Sequence, residues 1–339
     1  MAKIGVGIIG TGSIVNIYLK CLSEMDDVEV IGLCTKSADR VAKVKSEFGL
    51  PVFSDYASFL ALPEMDLVCV CNESGMHSEA IQAAAKEGKH ILSEKPLEVT
   101  TEKIDNLISF CEQQKVILGC VLQNRCSSDY KKVEQAVKSG VLGKLLMGNA
   151  SINWYRSEAY YSKSEWRGTI ELDGGAAFIN QGIHTIDLLI NLMGSVDSVF
   201  ANVQTRVHKI EGEDVGVALV NYANGAMGTI TAGTALFPGY PERIEVYGEK
   251  GSVIMEGGKI IDWNIKGEEH VKIDIDRMES GAADPKAIGY QNHKTVLQDM
   301  IGAIKRNKKP MVDGVEARKS VALINAIYKS SRIKKQVQL

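Results

Sequence analysis

The run Gly88-Lys89-His90-Ile91-Leu92-Ser93-Glu94-Lys95-Pro96 carries the strongest chemical signal in the chain. Its apolar centre reads as a buried strand, and the strand stops abruptly at a carboxylate, an amine and a proline. The amine needs water, a partner or a substrate, while the proline removes a backbone donor and sets the turn. Ligands in open α/β sheets bind at the carboxyl ends of strands, so Lys95 is a candidate catalytic group. A second cluster opens at Asp173-Gly174-Gly175 and is expected to run as a glycine-opened helix to Gly194. On that helix Asn180, His184 and Asp187 follow at spacings of four and three, so they share a face, beside an apolar stripe of Ile179, Ile183, Ile186 and Ile190. An imidazole titrates near neutrality, which suits His184 to proton transfer.

These groups need a scaffold. Lys3 to Ile9 is a short apolar run leading into Gly10-Thr11-Gly12-Ser13-Ile14-Val15. The first two glycines fit G-x-G-x-x-G, which lets phosphate approach the backbone at a helix N-terminus; Val15 replaces the third. A helix-like segment, Ile14 to Met25, and an apolar strand, Val28 to Cys34, complete a βαβ unit of the expected spacing. Gly10, Gly12, Ser13 and Ile14 are therefore expected at a dinucleotide pyrophosphate. After the second strand the residues are Thr35, Lys36, Ser37 and Arg40, with no carboxylate for a ribose 2′-hydroxyl. Hydroxyls and cations suit a 2′-phosphate, so the expected cofactor is NAD(P), with NADP(H) favoured over NAD(H). Ser37 is also placed to cap the helix that runs to about Phe48.

Alternation of strand and helix continues. Asp66 to Cys71 is a strand ending in Asn72-Glu73-Ser74-Gly75-Met76-His77, and His77 begins a helix closed by Gly88. A helix from Thr101 to Gln114 and a strand from Val116 to Leu122 follow, closing at Gln123-Asn124-Arg125. Cys71, Asn72, Ser74, His77, Glu94, Lys95 and Gln123 are the remaining cofactor candidates of this region. His77 is equally explained as a packed imidazole at a helix start.

Beyond residue 125 the pattern changes. A helix, Asp129 to Ser139, precedes long alternating strands at Leu145–Tyr155, Val196–Arg206, Val215–Tyr222, Ala226–Leu236 and Arg243–Tyr247, with a hairpin signal at Asn224-Gly225. Helices are expected again at Gln291–Lys305 and Val315–Ser330. The predicted fold is a Rossmann-type doubly wound parallel sheet over 1–123. An α+β substrate and oligomerisation domain with a large, mostly antiparallel open sheet and the C-terminal helices follows over 124–339. A sheet open on one face suits a homodimer or homotetramer.

Composition excludes several classes. The 339 residues are 45% hydrophobic and 24% charged with a net charge of −3, which fits two ordinary cores and argues against nucleic acid as a partner. No apolar run has transmembrane length. The opening Met-Ala-Lys-Ile-Gly enters a strand directly, and the seven cysteines lie largely in apolar segments, so a reduced, cytoplasmic protein without membrane attachment is expected. Cys69 and Cys71 have no second ligand pair nearby, so no metal site is expected.

Gly10-x-Gly12, Glu94-Lys95-Pro96 and Asn180-x-x-x-His184 together resemble the glucose-fructose oxidoreductase/inositol dehydrogenase (Gfo/Idh/MocA) family, and the resemblance extends to Pro310-Met311-Val312-Asp313-Gly314. It implies hydride transfer between a nicotinamide and a sugar or cyclitol carbon, with Lys95, Asn180 and His184 around the reacting hydroxyl. Many members have Asp where this chain has Asn180. Asparagine cannot take a proton, so acid/base work falls to His184 and oxygen polarisation to Lys95. The runs Trp154-Tyr155-Arg156, Tyr160-Tyr161, Trp166-Arg167-Gly168-Thr169 and Asp173-Gly174-Gly175, with Pro238-Gly239-Tyr240-Pro241 and Arg243, are similar to a subgroup of nucleotide-sugar 3-dehydrogenases. Arg125, Trp154, Tyr155, Tyr161, Asn180 and His184 are then substrate candidates for a small carbohydrate, and Trp166 and Arg167 belong to a loop over the cofactor. Packing explains Trp154 and Tyr155 equally well. Reduction of another carbonyl, such as an anhydro-ketose, and a non-catalytic dinucleotide-binding regulator are the alternative functions.

Overall fold

A computed structural model describes residues 3–269 and 290–339 of the chain. They form two compact units, Met1–Leu122 with Tyr290–Arg318 and Gln123–Gly289 with Lys319–Leu339. The first unit alternates β1 (Ile4–Ile9), α1 (Val15–Ser23), β2 (Val28–Cys34), α2 (Ala38–Phe48), β3 (Val52–Phe53), α3 (Tyr56–Leu60), β4 (Leu67–Val70), α4 (His77–Lys86), β5 (His90–Ser93), α5 (Thr101–Gln113) and β6 (Leu118–Cys120). Its six strands are parallel in the order β3-β2-β1-β4-β5-β6. The order reverses between β1 and β4, and a reversal of this kind leaves a crevice at the strands' carboxyl ends. The near-continuous apolar runs follow from burial on both faces: every residue of β4 is buried.

One boundary differs from the expectation. Residues 290–318, read as part of the second domain, pack with the first unit. After the second unit's main run, named below, the C-terminal region supplies a helix over Gln291–Arg306 whose Val296, Leu297, Met300 and Ile301 are buried. Lys294 and Lys305 bind Glu24 and Asp27 around α1 at 2.9 and 2.5 Å. Cys120 N–H donates to the Val312 carbonyl at 3.0 Å, extending the β6 edge. Sequence order alone carried no sign of this return.

The second unit contains α6 (Ser128–Ser139), β7 (Leu145–Asn153), α7 (Glu158–Ser162), α8 (Ile183–Met193), β8 (Val196–Gln204), β9 (Val215–Tyr222), β10 (Met227–Gly233), β11 (Arg243–Gly248), β12 (Gly251–Glu256) and β13 (Lys259–Ile265). The returning helix of the first unit is α9; α10 (Gly314–Ile333) and β14 (Val337–Gln338) end the chain. Eight strands form one sheet in the order β13-β12-β11-β7-β10-β9-β8-β14. Neighbours are antiparallel except β10 and β7, which run parallel. β12, β13 and β14 were not anticipated. β12 and β13 are joined through Gly257-Gly258 and a register shift, which blurs their alternation, and β14 is two residues long. In β9, Gly216, Ala218, Val220 and Tyr222 point inward while Val217, Leu219 and Asn221 point out. Phe200 opposite Leu219, and Met227 beside Met147, extend an exposed apolar stripe over the outer face.

The Asp173–Gly194 segment is not one uniform helix. Ala177–Gly182 forms a π-helical turn that precedes α8, and Gln181 N–H reaches the Ala176 carbonyl five residues back. Such wide turns cost regular hydrogen bonding and concentrate at functional sites. Below it, Arg125 lies on a single 3₁₀ turn, Gln123–Cys126, and makes a buried bidentate pair with Asp187, Nε to Oδ2 and one terminal nitrogen to Oδ1, both at 2.7 Å. Among the described residues no helix is long and apolar enough to cross a membrane, and no three ligating side chains gather around a metal position.

Replacing Arg125 by Ala strips the buried Asp187 of its cation. We expect a loss of about 3–5 kcal/mol in denaturant unfolding, the usual cost of breaking a buried pair from one side.

Candidate active site

In the first unit the predicted residues gather along the carboxyl edge of the sheet. Gly10 has φ +97°, and a Cβ there would lie 2.5 Å from the Cys71 carbonyl group, so the close approach of β1 and β4 demands glycine. Gly12 is different. Its φ is ordinary for any residue, and nothing lies within 4 Å of where a Cβ would stand. Neither conformation nor packing requires this glycine, which leaves a cradle open above the loop. The α1 N-terminus follows with no side-chain cap and no acidic residue in its first turn, so no side chain offsets its positive dipole end. Thr11 Oγ1 and Asn72 Oδ1 are buried without hydrogen-bond partners along the same edge. A dinucleotide pyrophosphate fits these features.

At the end of β2, Thr35 is buried while Lys36, Ser37 and Arg40 are exposed. Arg40 donates to the Thr11 carbonyl at 2.7 Å, joining the first turn of α2 to the glycine loop. Lys36 is paired with Glu79 at 2.5 Å and lies over the Tyr56 ring, so part of its charge is already matched. Ser37 stands at the N-cap of α2 as expected, but its side chain makes no capping bond.

His77 departs from its cofactor assignment. It is buried, its Nδ1 and Nε2 lie 2.9 and 3.1 Å from the Pro96 and Asn72 carbonyl oxygens, and burial pushes the ring's pKa down. The imidazole ties the loop after β4 to the loop after β5. Cys71 and Ser74 are likewise buried. Glu94 is also anchored within the protein: Oε1 accepts from Tyr18 at 2.8 Å and Oε2 from the Lys95 amide at 3.3 Å. Tyr18 in turn packs edge-on against His293 of α9. The carboxylate thus holds the backbone from which Lys95, half-buried, projects.

The second unit carries the other cluster. Arg156 is buried after β7 and donates from Nε and a terminal nitrogen to Gln181 Oε1 at 3.1 and 2.8 Å. Gln181 Nε2 donates to Asn180 Oδ1 at 2.6 Å and to the Tyr160 hydroxyl at 2.9 Å. Asn180 Nδ2 donates to Asp173 Oδ1, and Asp173 Oδ2 accepts the Gly168 amide at 2.8 Å. Around this chain the Arg156 guanidinium lies over Trp154, and the Arg167 guanidinium lies over Tyr160 and Trp166. Tyr155 packs against Phe237. Half-buried Asn180 and His184 sit on the π-helical turn and the first turn of α8. Gln123, Trp166 and Arg167 belong to this unit.

Two substrate candidates are occupied elsewhere. Arg125 is held by Asp187, and the Tyr161 hydroxyl is buried against Thr234 Oγ1 at 2.7 Å, beside the His208 ring. Conversely, Arg156, Tyr160 and Asp173 had been noted only within a motif, and Gln181, Glu213 and Tyr18 had not been singled out. Glu213 receives Ala176 N–H, Phe178 N–H and the Tyr328 hydroxyl, anchoring the entry to the π-helical turn; burial outweighs these donors and pushes its carboxyl up to about 7. Only a buried arginine beside aromatics could have signalled the cluster.

Comparison with known proteins agrees with this architecture. Residues 4–121 match the oxidoreductase family with an NAD-binding Rossmann fold, and residues 130–254 match the GFO/IDH/MocA C-terminal domain. The chain is 27% identical to myo-inositol 2-dehydrogenase of Thermotoga maritima over 98% of both proteins. It is 30% identical to the WlbA dehydrogenase of Bordetella pertussis, solved with NADH and UDP-GlcNAcA, over 99% of both chains with a TM-score of 0.89. Levoglucosan dehydrogenase, solved with NADH and levoglucosan, is 19% identical with a TM-score of 0.86 and shares the fold. The family matches and the dehydrogenases among its relatives make the chain an NAD-binding oxidoreductase acting on CH–OH groups. The chain belongs to the Gfo/Idh/MocA family.

Two outcomes follow from the edge and from Glu213. Gly12→Ala should leave the melting temperature unchanged and weaken dinucleotide binding, measured calorimetrically, whereas Gly10→Ala should destabilise the fold itself. Glu213 has a folded pKa above its ordinary 4.5, so its contribution is full below 4.5 and is lost as pH rises through about 7. Unfolding free energy should therefore decline over that window, and Glu213→Gln should flatten the decline.

Proposed function

We propose that this protein is a nicotinamide-dependent dehydrogenase of a sugar carrying an anionic substituent, with a nucleotide sugar as the leading substrate class. The observation that carries the reading is the second unit's cluster, in which the half-buried Arg167 guanidinium lies over Tyr160 and Trp166 close to the Gln181–Asn180 pair, while the buried Arg156 orients Gln181. Aromatic faces suit a sugar ring, and guanidinium groups suit carboxylate or phosphate. The whole-length likeness to a dehydrogenase solved with NADH and UDP-GlcNAcA supports the same choice.

Gly10, Gly12 and the α1 N-terminus hold the pyrophosphate, and Thr35 and Arg40 face the ribose. The bound nicotinamide supplies the hydride acceptor or donor. Lys95, fixed through its backbone by Glu94, stabilises negative charge developing on the reacting oxygen. His184 takes the hydroxyl proton in oxidation and returns it in reduction. Asn180 cannot titrate and orients the substrate.

The carboxylate-free strand end supports NADP(H) as the better cofactor, through Arg40 more than through Lys36, whose charge Glu79 offsets. The apolar outer stripe of Phe200, Val217, Leu219 and Met227 supports a homodimer or homotetramer formed through the sheet. Seven buried cysteines are consistent with a reducing, cytoplasmic setting.

Lys95→Ala and His184→Ala should each lower turnover of UDP-linked hexuronates by about 10²–10⁴-fold, the usual worth of a positioned acid or base. Dinucleotide affinity should survive in both. Assays with both nicotinamides separate the cofactors, and full activity in both variants contradicts the assignment.

A further inference from the structure

Position 180 holds an amide, and the hydrogen-bond chain gives a physical reason. Arginine can only donate, so Gln181 must turn Oε1 toward Arg156 and Nε2 toward Asn180. Asn180 must then receive that donor on Oδ1 and turn Nδ2 toward Asp173. The last acceptor, Asp173, is 2% exposed, and its second oxygen accepts the Gly168 amide. Each amide has one orientation compatible with both neighbours.

We propose that Asp173 is a positioning residue of the active site: its carboxylate requires an amide at position 180 and fixes which way that amide faces. The proposal rests on the reading of Asn180 as a substrate-orienting group. Because Asp173 also holds Gly168, it couples the Trp166-Arg167 loop to the π-helical turn that bears Asn180. A carboxylate at 180 would touch Asp173, and two ionised carboxylates in contact repel, so one would have to keep a proton. Two amides fail differently. With Asn at 173, its amide nitrogen opposes either the Gly168 N–H or Asn180 Nδ2, donor against donor in both orientations, and flipping Asn180 only moves the conflict to Gln181 and then to Arg156.

The charged and titratable groups around Asp173 include Tyr160 and Arg156 through Gln181, Arg167 beside Tyr160, Tyr161 of α7, and Tyr328 of α10 with its partner Glu213. Burial raises the Glu213 carboxyl to about 7, inside the range tested, so each profile is read relative to the wild-type enzyme.

The test is a reciprocal exchange in the whole 339-residue chain, with kcat/KM and thermal unfolding followed from about pH 5.5 to 8.5. Asn180→Asp should approach wild type at the acidic end and lose about tenfold in kcat/KM per pH unit above its shared-proton pKa, with a parallel fall in stability. Asp173→Asn should be impaired at every pH. The double variant Asp173→Asn/Asn180→Asp restores one donor facing one acceptor, so its profiles should run parallel to wild type. An alkaline loss that persists in the double variant overturns the proposal. So does an Asn180→Asp enzyme whose kcat/KM profile matches wild type while only its stability falls, since the pair would then be structural alone. Wild-type protein that turns over no sugar contradicts the proposed function; the unfolding profiles then decide the pairing, and their failure to separate the single from the double variant overturns it.

Discussion

A guanidinium that can only donate and a carboxylate that can only accept stand at opposite ends of one hydrogen-bond chain, Arg156–Gln181–Asn180–Asp173. Everything between them is forced into a single orientation, because a reversed amide would set donor against donor in a buried place. Mispaired buried polar groups cost about 1–3 kcal/mol each. The chain draws on the end of β7, the turn before α8 and the loop that ends at Asp173, and Tyr160 of α7 joins it from the side. The local folds of these segments are therefore mutually dependent. The π-helical turn belongs to the same set: its added residue brings Asn180 and Gln181 into adjoining places in one network, whereas successive residues of a regular helix diverge.

The first unit uses the same logic with simpler parts. Glu94 is held by Tyr18 and in turn holds the Lys95 backbone, while His77 bridges two loop carbonyls. Residues that looked like ligand contacts in the sequence thus include several that position the loops. The glycine loop remains distinct, since neither the packing at Gly12 nor a side-chain cap on the α1 N-terminus answers a demand of the protein itself. Buried charge pairs such as Arg125–Asp187 follow a third pattern, in which both members are satisfied by each other.

Much of the fold was legible because it rests on periodicity. Parallel strands buried on both faces leave short apolar runs, and β9 leaves strict alternation. β12 and β13 were not legible because a glycine pair and a register shift break that alternation. α9 was legible as a helix but not as part of the first unit, since an amphipathic stripe states that a face is buried without naming what buries it. Lys95, Asn180 and His184 stood out by residue type and spacing. Gln181 did not, because its neighbour relationship to Asn180 depends on the π-helical turn.

The sequence by itself determined the class of the protein: the glycine loop, the Glu94-Lys95-Pro96 strand end and the Asn180/His184 spacing are local patterns, and local patterns survive in one dimension. Tertiary structure alone decided how those residues are held. It turned His77, Arg125 and Tyr161 toward protein partners, set Asp173 against Asn180 across seven residues of chain, and returned α9 to α1. The physical reason is that a polar group's role depends on which donor or acceptor reaches it. That partner is chosen by packing between segments, which the order of residues does not express.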